Sequence, residues 1–264
     1  MQPIDMLAPE DEVVHFMLGA YLKYHAIDRL VQRQLGAVEH YELLFADPAR
    51  LDCVVDLAVP EQRCAWGEVR ADGASLAREA QRMAGYDLVP IGSLHKHGIN
   101  CLSQTDVQLL DENLAREMAP ALLRPFEVRV EHPEARFELS DEAEVSVDGR
   151  VLLLGNGNGR RPQVVLRKAQ AIRTGYRARV FCLASNGGPR PRFHGQQVIV
   201  IRIPECPTAH SYRCPIREVV LEPGPARLPW DEAALEAEIF DKLSAPGSAG
   251  YYDRWGWNSK RAYR

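Results

Sequence analysis

Between residues 13 and 35 an apolar entry, VVHFM, gives way to Leu18, Leu22, Leu30, Val31 and Leu35 at helical spacing. The pattern predicts a strand running directly into a helix that stops at Gly36. Three strand-like runs follow, at 38–46 (VEHYELLFA), 51–59 (LDCVVDLAV) and 62–69 (QRCAWGEV). Residues 74–84 (ASLAREAQRMA) read as a short helix closed by Gly85, and 87–95 (DLVPIGSLH) as an apolar strand. In 104–118 the residues Val107, Leu110, Leu114 and Met118 form one stripe, which predicts a second long helix. Beyond Pro120 the pattern shifts to short alternating runs, FEVRVEHPEARFEL and AEVSVDGRVLLL, and later to ARVFCLAS and QQVIVIRI, all of which predict strands. GNGNG at 155–159 suits a hairpin turn; it lacks the G-x-x-x-x-G-K-[ST] pattern of a phosphate loop. A last helix is expected over 231–243, with Asp231 as its N-cap and Trp230 placed to pack on Leu235. The succession of helices and strands predicts an α/β fold.

Composition limits the function classes. With 264 residues, 46% hydrophobic and 26% charged, the chain can bury a core and hold at most two ordinary domains. No run approaches the roughly 18 apolar residues of a membrane span. The segment MQPIDMLAPEDEVV carries acids where a secretory signal has bases, so a soluble, cytoplasmic protein is expected. Six cysteines in that setting should be free thiols. Cys206, His210 and Cys214 are equally spaced, but no fourth zinc ligand is evident and Pro204, Pro207 and Pro215 suggest an extended loop instead.

The net charge of −4 hides an asymmetry. From Arg150 to Pro204 there are eleven bases and no acid, leaving 21 bases against 36 acids elsewhere. That segment is either a solvated sheet surface or a cationic face for an acidic partner. The end of the chain gathers Tyr251, Tyr252, Trp255, Trp257 and Tyr263 among Arg254, Lys260, Arg261 and Arg264. Such a tail can fold back on its own body or dock on a protein partner.

The stretch that carries chemistry is IGSLHKHGINCLSQTDVQLLDE, residues 91–112. His95 and His97 stand two apart at the end of a predicted strand and so project from one face. Ser103 and Asp106, three apart, open the following helix. Two imidazoles and a carboxylate form the protein ligand set of a catalytic zinc site that leaves one position open. Ser103-x-x-Asp106 would also serve as a helix cap.

In this order the residues resemble the signature of the JAB/MPN (JAMM-motif) metalloproteases: an early Glu, then H-[ST]-H-P, a short loop and S-x-x-D. The resemblance covers about residues 12–120. It implies a three-layer core whose mixed β-sheet is flanked by helices. It also implies Zn2+ held by His95, His97 and Asp106, Ser103 as support for an oxyanion, and Glu39 of VEHYELLFA as the general base. The motif departs from the family at Lys96 for Ser or Thr, at Gly98 for Pro, at Glu42 for Gly, and in the five residues between His97 and Ser103. Glu42 is the other carboxylate that could act as base, although three residues along a strand it should face away from Glu39.

The resemblance divides the chain into a JAB/MPN core at 1–120, a β-rich basic insertion or extension at 121–223 whose later strands complete the core, and a C-terminal helix with the aromatic tail at 224–264. The function it implies is zinc-dependent isopeptidase or peptidase action that removes or matures a ubiquitin-like protein in a bacterial conjugation system. Partners of E1-like and E2-like type and a setting in anti-phage defence follow from the same branch. The alternative is a non-catalytic MPN scaffold that binds a ubiquitin-like or other acidic protein. Nucleic-acid binding through 150–204 ranks last, because neither an RNA-binding signature nor a basic DNA-reading helix is present.

Overall fold

In the computed structural model of the chain, the described residues are 13–97, 122, 124–138, 144–147, 150–153, 163–187, 190–202 and 210–244. They form a mixed α/β structure with several sheets and three helices. In chain order the elements are β1 (Val13–Met17), α1 (Leu18–Leu35), β2 (Tyr41–Ala46), β3 (Cys53–Val54), β4 (Asp56–Ala58), β5 (Gln62–Ala65), β6 (Glu68–Ala71), α2 (Gly73–Ala84) and β7 (Val89–Lys96). They continue as β8 (Arg124–Glu138), β9 (Glu144–Val147), β10 (Arg150–Leu153), β11 (Gln163–Ser185), β12 (Phe193–Arg202), β13 (His210–Pro215), β14 (Glu218–Glu222), α3 (Glu232–Lys242) and β15 (Leu243–Ser244). The chain separates into two compact units, one containing Pro125–Tyr176 and the other Ala8–Arg124 with Arg177–Arg264. In the first, β9 and β10 form an antiparallel pair; β8 pairs with β11. The candidate site belongs to the second.

The helix α1 buries Ala20, Tyr24, Ile27, Leu30 and Val31, a stripe at the three- and four-residue spacing of one helical face. Gly36 ends it with φ +79°, a left-handed conformation that glycine adopts without the Cβ penalty. The face differs from the one read in the sequence: Leu18 and Leu22 are 40% and 46% exposed, whereas Lys23 and Asp28 are buried. Both polar residues point inward because distant residues pair with them. The Lys23 ammonium donates to Asp56 Oδ1 at 2.6 Å and to the Leu57 carbonyl at 2.8 Å, and Asp56 Oδ2 accepts the Leu228 N–H at 2.7 Å.

The main sheet of this unit runs β13-β12-β11-β7-β2-β4. Its centre is mixed: β11 is parallel to β7, while β2 is antiparallel to both β7 and β4. The β2–β7 register pairs Tyr41 with His95 and Leu43 with Ser93, then shifts between Leu44 and Phe45, where Pro90 faces Phe45. A proline, which cannot donate to the ladder, is tolerated at such an irregularity. The helix α1 covers one face, where the Phe193 ring of β12 packs against Phe16, Tyr21 and Tyr24 at centroid distances of 5.1–5.6 Å. Along α3, exposed Arg29–Glu232 and Arg33–Glu236 contacts at 3.1 and 2.7 Å decorate the packing of Leu235 and Ile239 but add little energy.

Two runs read as single strands are each two. Residues 51–59 divide into β3 and β4, and 62–69 into β5 and β6, whose antiparallel pairing is closed by a turn at Trp66 and Gly67. The Asp231 carboxylate caps α3 by accepting the Ala234 N–H at 2.8 Å, and Asp72 caps α2 by accepting the Ser75 N–H at 2.7 Å. Cys53, Cys64, Cys182 and Cys214 are buried thiols outside any disulfide. No helix among the described residues is long and apolar enough to cross a membrane. The predicted helix 104–118, the GNGNG turn, Cys206 and the aromatic tail lie outside the described residues.

Candidate metal centre

The pattern at 91–97 becomes the last residues of β7 and the first residue beyond it. Alternation along the strand sends Ser93, His95 and His97 to one face and Leu94 and Lys96 to the other. The β2 partner obeys the same register. Tyr41 lies opposite His95, and the Lys96 N–H donates to the His40 carbonyl at 2.8 Å, which extends the pairing one residue beyond β2. Glu39 therefore falls across from His97 and on the face of the two histidines, while His40 and Glu42 fall on the reverse face, under α1. On the other side, β11 aligns Cys182 with Ser93 and Ala184 with His95, and the His97 N–H donates to the Ser185 carbonyl at 2.8 Å.

The imidazoles of His95 and His97 stand edge to face with centroids 5.3 Å apart. Two imidazoles bound to one tetrahedral ion through nitrogens at about 2 Å have centroids roughly 5 Å apart, so the observed pair fits a shared metal. His95 is 5% exposed and sits over the buried end of the sheet. Glu39 is 9% exposed, and its N–H donates to the Ala65 carbonyl at 3.0 Å, which sets the β5–β6 turn beside the same end of the sheet. Ser103 and Asp106 lie outside the described residues. Among the described residues no group of three or more His, Cys, Asp or Glu could hold a metal by itself, so a complete site needs a ligand from outside them.

The reverse face carries a cluster that the sequence pattern did not reveal. His40 is fully buried between two carboxylates, with Nδ1 at 2.6 Å from Glu42 Oε1 and Nε2 at 3.1 Å from Asp28 Oδ1. The Lys96 ammonium reaches the same Asp28 oxygen at 3.1 Å, and Gln32 Nε2 donates to Asp28 Oδ2 at 2.7 Å. Two acids and two bases thus meet beneath α1, the pairing that makes buried charge tolerable. Burial disfavours the imidazolium of His40, but the Glu42 charge and the hydrogen bonds to Asp28 and Glu42 outweigh it and hold the pKa up at about 9. Burial would raise the Asp28 carboxyl, yet the hydrogen bond and charge of His40, with Lys96 added, bring it down to about 2. Glu42 is pushed up by burial, against the opposing pull of His40. Glu42 is wholly buried and hydrogen-bonded to His40 beneath α1, which leaves Glu39 as the carboxylate on the histidine face.

One signal of this cluster was available in the chain: Asp28 interrupts the Tyr24, Ile27, Val31 stripe of α1 with a charge. A separate open cleft of about 760 Å3 lies between β12, β13 and β14, lined by residues such as Tyr21, Arg192, Phe193 and Leu221, and does not include the histidine pair. No protein-family model matches the chain, and no curated protein is significantly similar to it.

Proposed function

We propose that the chain is a zinc-dependent isopeptidase or peptidase of the JAB/MPN type, acting on a ubiquitin-like protein or its conjugates in a bacterial conjugation system, with E1-like and E2-like proteins as its companions. The observation that supports this reading is the facing pair of imidazoles at the end of β7, with Glu39 two residues ahead of β2 and opposite His97 when the β2–β7 register is continued. The three-layer core is part of the same proposal.

In this reading His95, His97 and Asp106 hold the metal. Bound zinc would supply a Lewis acid that polarises the scissile carbonyl and makes water acidic enough to attack near neutral pH. Glu39 takes a proton from the attacking water and hands it to the departing lysine amine as the C–N bond breaks. The Ser103 hydroxyl donates a hydrogen bond to the oxygen on which charge develops. Tyr41 and Ser93, on the same face of β2 and β7 as the histidines, back them from within the sheet, where burial pushes the Tyr41 hydroxyl pKa up.

The test compares the wild type with Glu39→Gln on a ubiquitin-like protein joined through an isopeptide bond to a lysine substrate. The proposal predicts that Glu39→Gln keeps the metal and loses cleavage by at least about a hundredfold, the scale of a positioned general base. A Glu39→Gln protein as active as the wild type would remove Glu39 from the mechanism. A wild type that binds metal but cleaves no such conjugate would favour the non-catalytic scaffold.

A further inference from the structure

Every residue on the histidine face is bonded through the chain to a neighbour on the reverse face. Lys96 lies between His95 and His97, and His40 follows Glu39. On the reverse face these two neighbours meet one carboxylate: Lys96 Nζ and His40 Nε2 both reach Asp28 Oδ1 at 3.1 Å. Asp28 belongs to α1, and its other oxygen is held by Gln32 one turn further on. The turn after β11 closes over this point. Gly187 has φ +67°, and a Cβ there would come 3.0 Å from Lys96 Cε and 3.2 Å from Asp28 Oδ2, so the loop packs directly on the ion pair. Its N–H also donates to Ser185 Oγ at 3.1 Å, beside the Ser185 carbonyl that holds the His97 N–H.

We infer that Asp28, His40 and Lys96 form a brace on the reverse face of the sheet that sets the aim of the His95 and His97 imidazoles, with Lys96 as the positioning residue. The inference rests on the metal-site reading above. Strand ends are among the parts of a fold that open most readily. Here the last residue of β7 is held through its side chain to a helix, and the residue opposite is held to the same carboxylate. Rotation of residue 96 about the strand axis would swing both flanking imidazoles together, so fixing Lys96 fixes the direction in which the pair points. The effect reaches the metal through the backbone, since Lys96 faces away from the histidines.

The structure contains its own control. Lys23, on α1, is a second lysine paired to a buried carboxylate, at 2.6 Å from Asp56, but its partner lies on β4. Lys96→Met and Lys23→Met therefore each remove one carboxylate-paired ammonium, and only the first touches the strand of the histidines. The experiment is chelator competition for Zn2+ with wild type, Lys96→Met, Asp28→Asn, their double variant and Lys23→Met, together with the visible spectrum of the cobalt-loaded proteins and thermal melts that verify folding. The brace predicts a 10- to 100-fold weaker metal affinity in Lys96→Met, the range seen when groups that orient ligands are lost. It predicts a double variant little worse than the single ones, an altered cobalt spectrum, and wild-type affinity in Lys23→Met despite its lower melting temperature. Should Asp28→Asn fail to fold, Lys96→Met against Lys23→Met decides alone, because Asp28 keeps His40 and Gln32 when Lys96 is lost. Unchanged affinity in Lys96→Met, or equal losses in both lysine variants, would overturn the brace while leaving the metal site intact. A wild type that binds no metal would overturn the metal reading and the brace with it.

Discussion

His40 gives the fold a pH dependence whose size follows from its surroundings. An exposed histidine titrates near 6.5, and in the folded chain His40 holds its proton to about 9. A raised pKa means that the folded state binds the proton more tightly, so the stabilisation is fully present below about pH 6.5 and is lost as pH rises through about 9. At about 1.4 kcal/mol per pH unit, that interval corresponds to roughly 3 kcal/mol. Asp28 acts at the other end. Its carboxyl, held near 2, contributes stability above about pH 4 that is lost as pH falls through about 2. Glu42, pushed up by burial, favours the folded state more at low pH and so adds to the fall on the alkaline side of its ordinary range. The stability contributed by His40 and Asp28 together should therefore be greatest between about pH 4 and 6.5. Urea unfolding at half-unit steps from pH 6 to 9.5 measures the alkaline loss, with Asp28→Asn moving the fall to lower pH and His40→Gln flattening it. An equal fall between pH 6.5 and 9 in wild type and His40→Gln would refute the assignment to His40, as would a flat wild-type profile.

Two further perturbations test the packing that carries the site. Asp56→Ala strips the buried Lys23 ammonium and the Leu228 N–H of their acceptor, and should cost about 3–5 kcal/mol in chemical denaturation; a loss below about 1 kcal/mol would show that the pair is not isolated from water. Asp72→Ala removes the cap from α2 and should cost about 0.5–2 kcal/mol by the same measurement, with the far-ultraviolet spectrum unchanged.

The elements were legible where a short-range signal was enough. The strand into helix at 13–35, its stop at Gly36, the helix at 74–84, the strand at 87–95 and the Asp231 cap all depend on neighbours within a turn or two. The inward face of α1 was not legible, because burying Lys23 and Asp28 depends on Asp56, His40 and Lys96, which the chain brings in from 12 to 68 residues away. For the same reason Leu18 and Leu22, apolar and correctly spaced, are left outside the core. The long strand β11 was visible only in its apolar end, ARVFCLAS, since before it the apolar residues are broken up by Arg167, Lys168, Gln170 and Arg173. At the site, alternation alone put His95 and His97 on one face, but the relation of Glu39 and Glu42 to that face required the β2–β7 register, which a single sequence does not contain.

The central claim is that His95 and His97 share a metal ion. Metal stoichiometry on the purified wild type beside a His95→Ala, His97→Ala double variant tests it most directly. The account predicts about one zinc per wild-type chain and loss of that zinc in the variant, with both proteins folded. Equal metal content in the two proteins, whether near zero or near one, would contradict it.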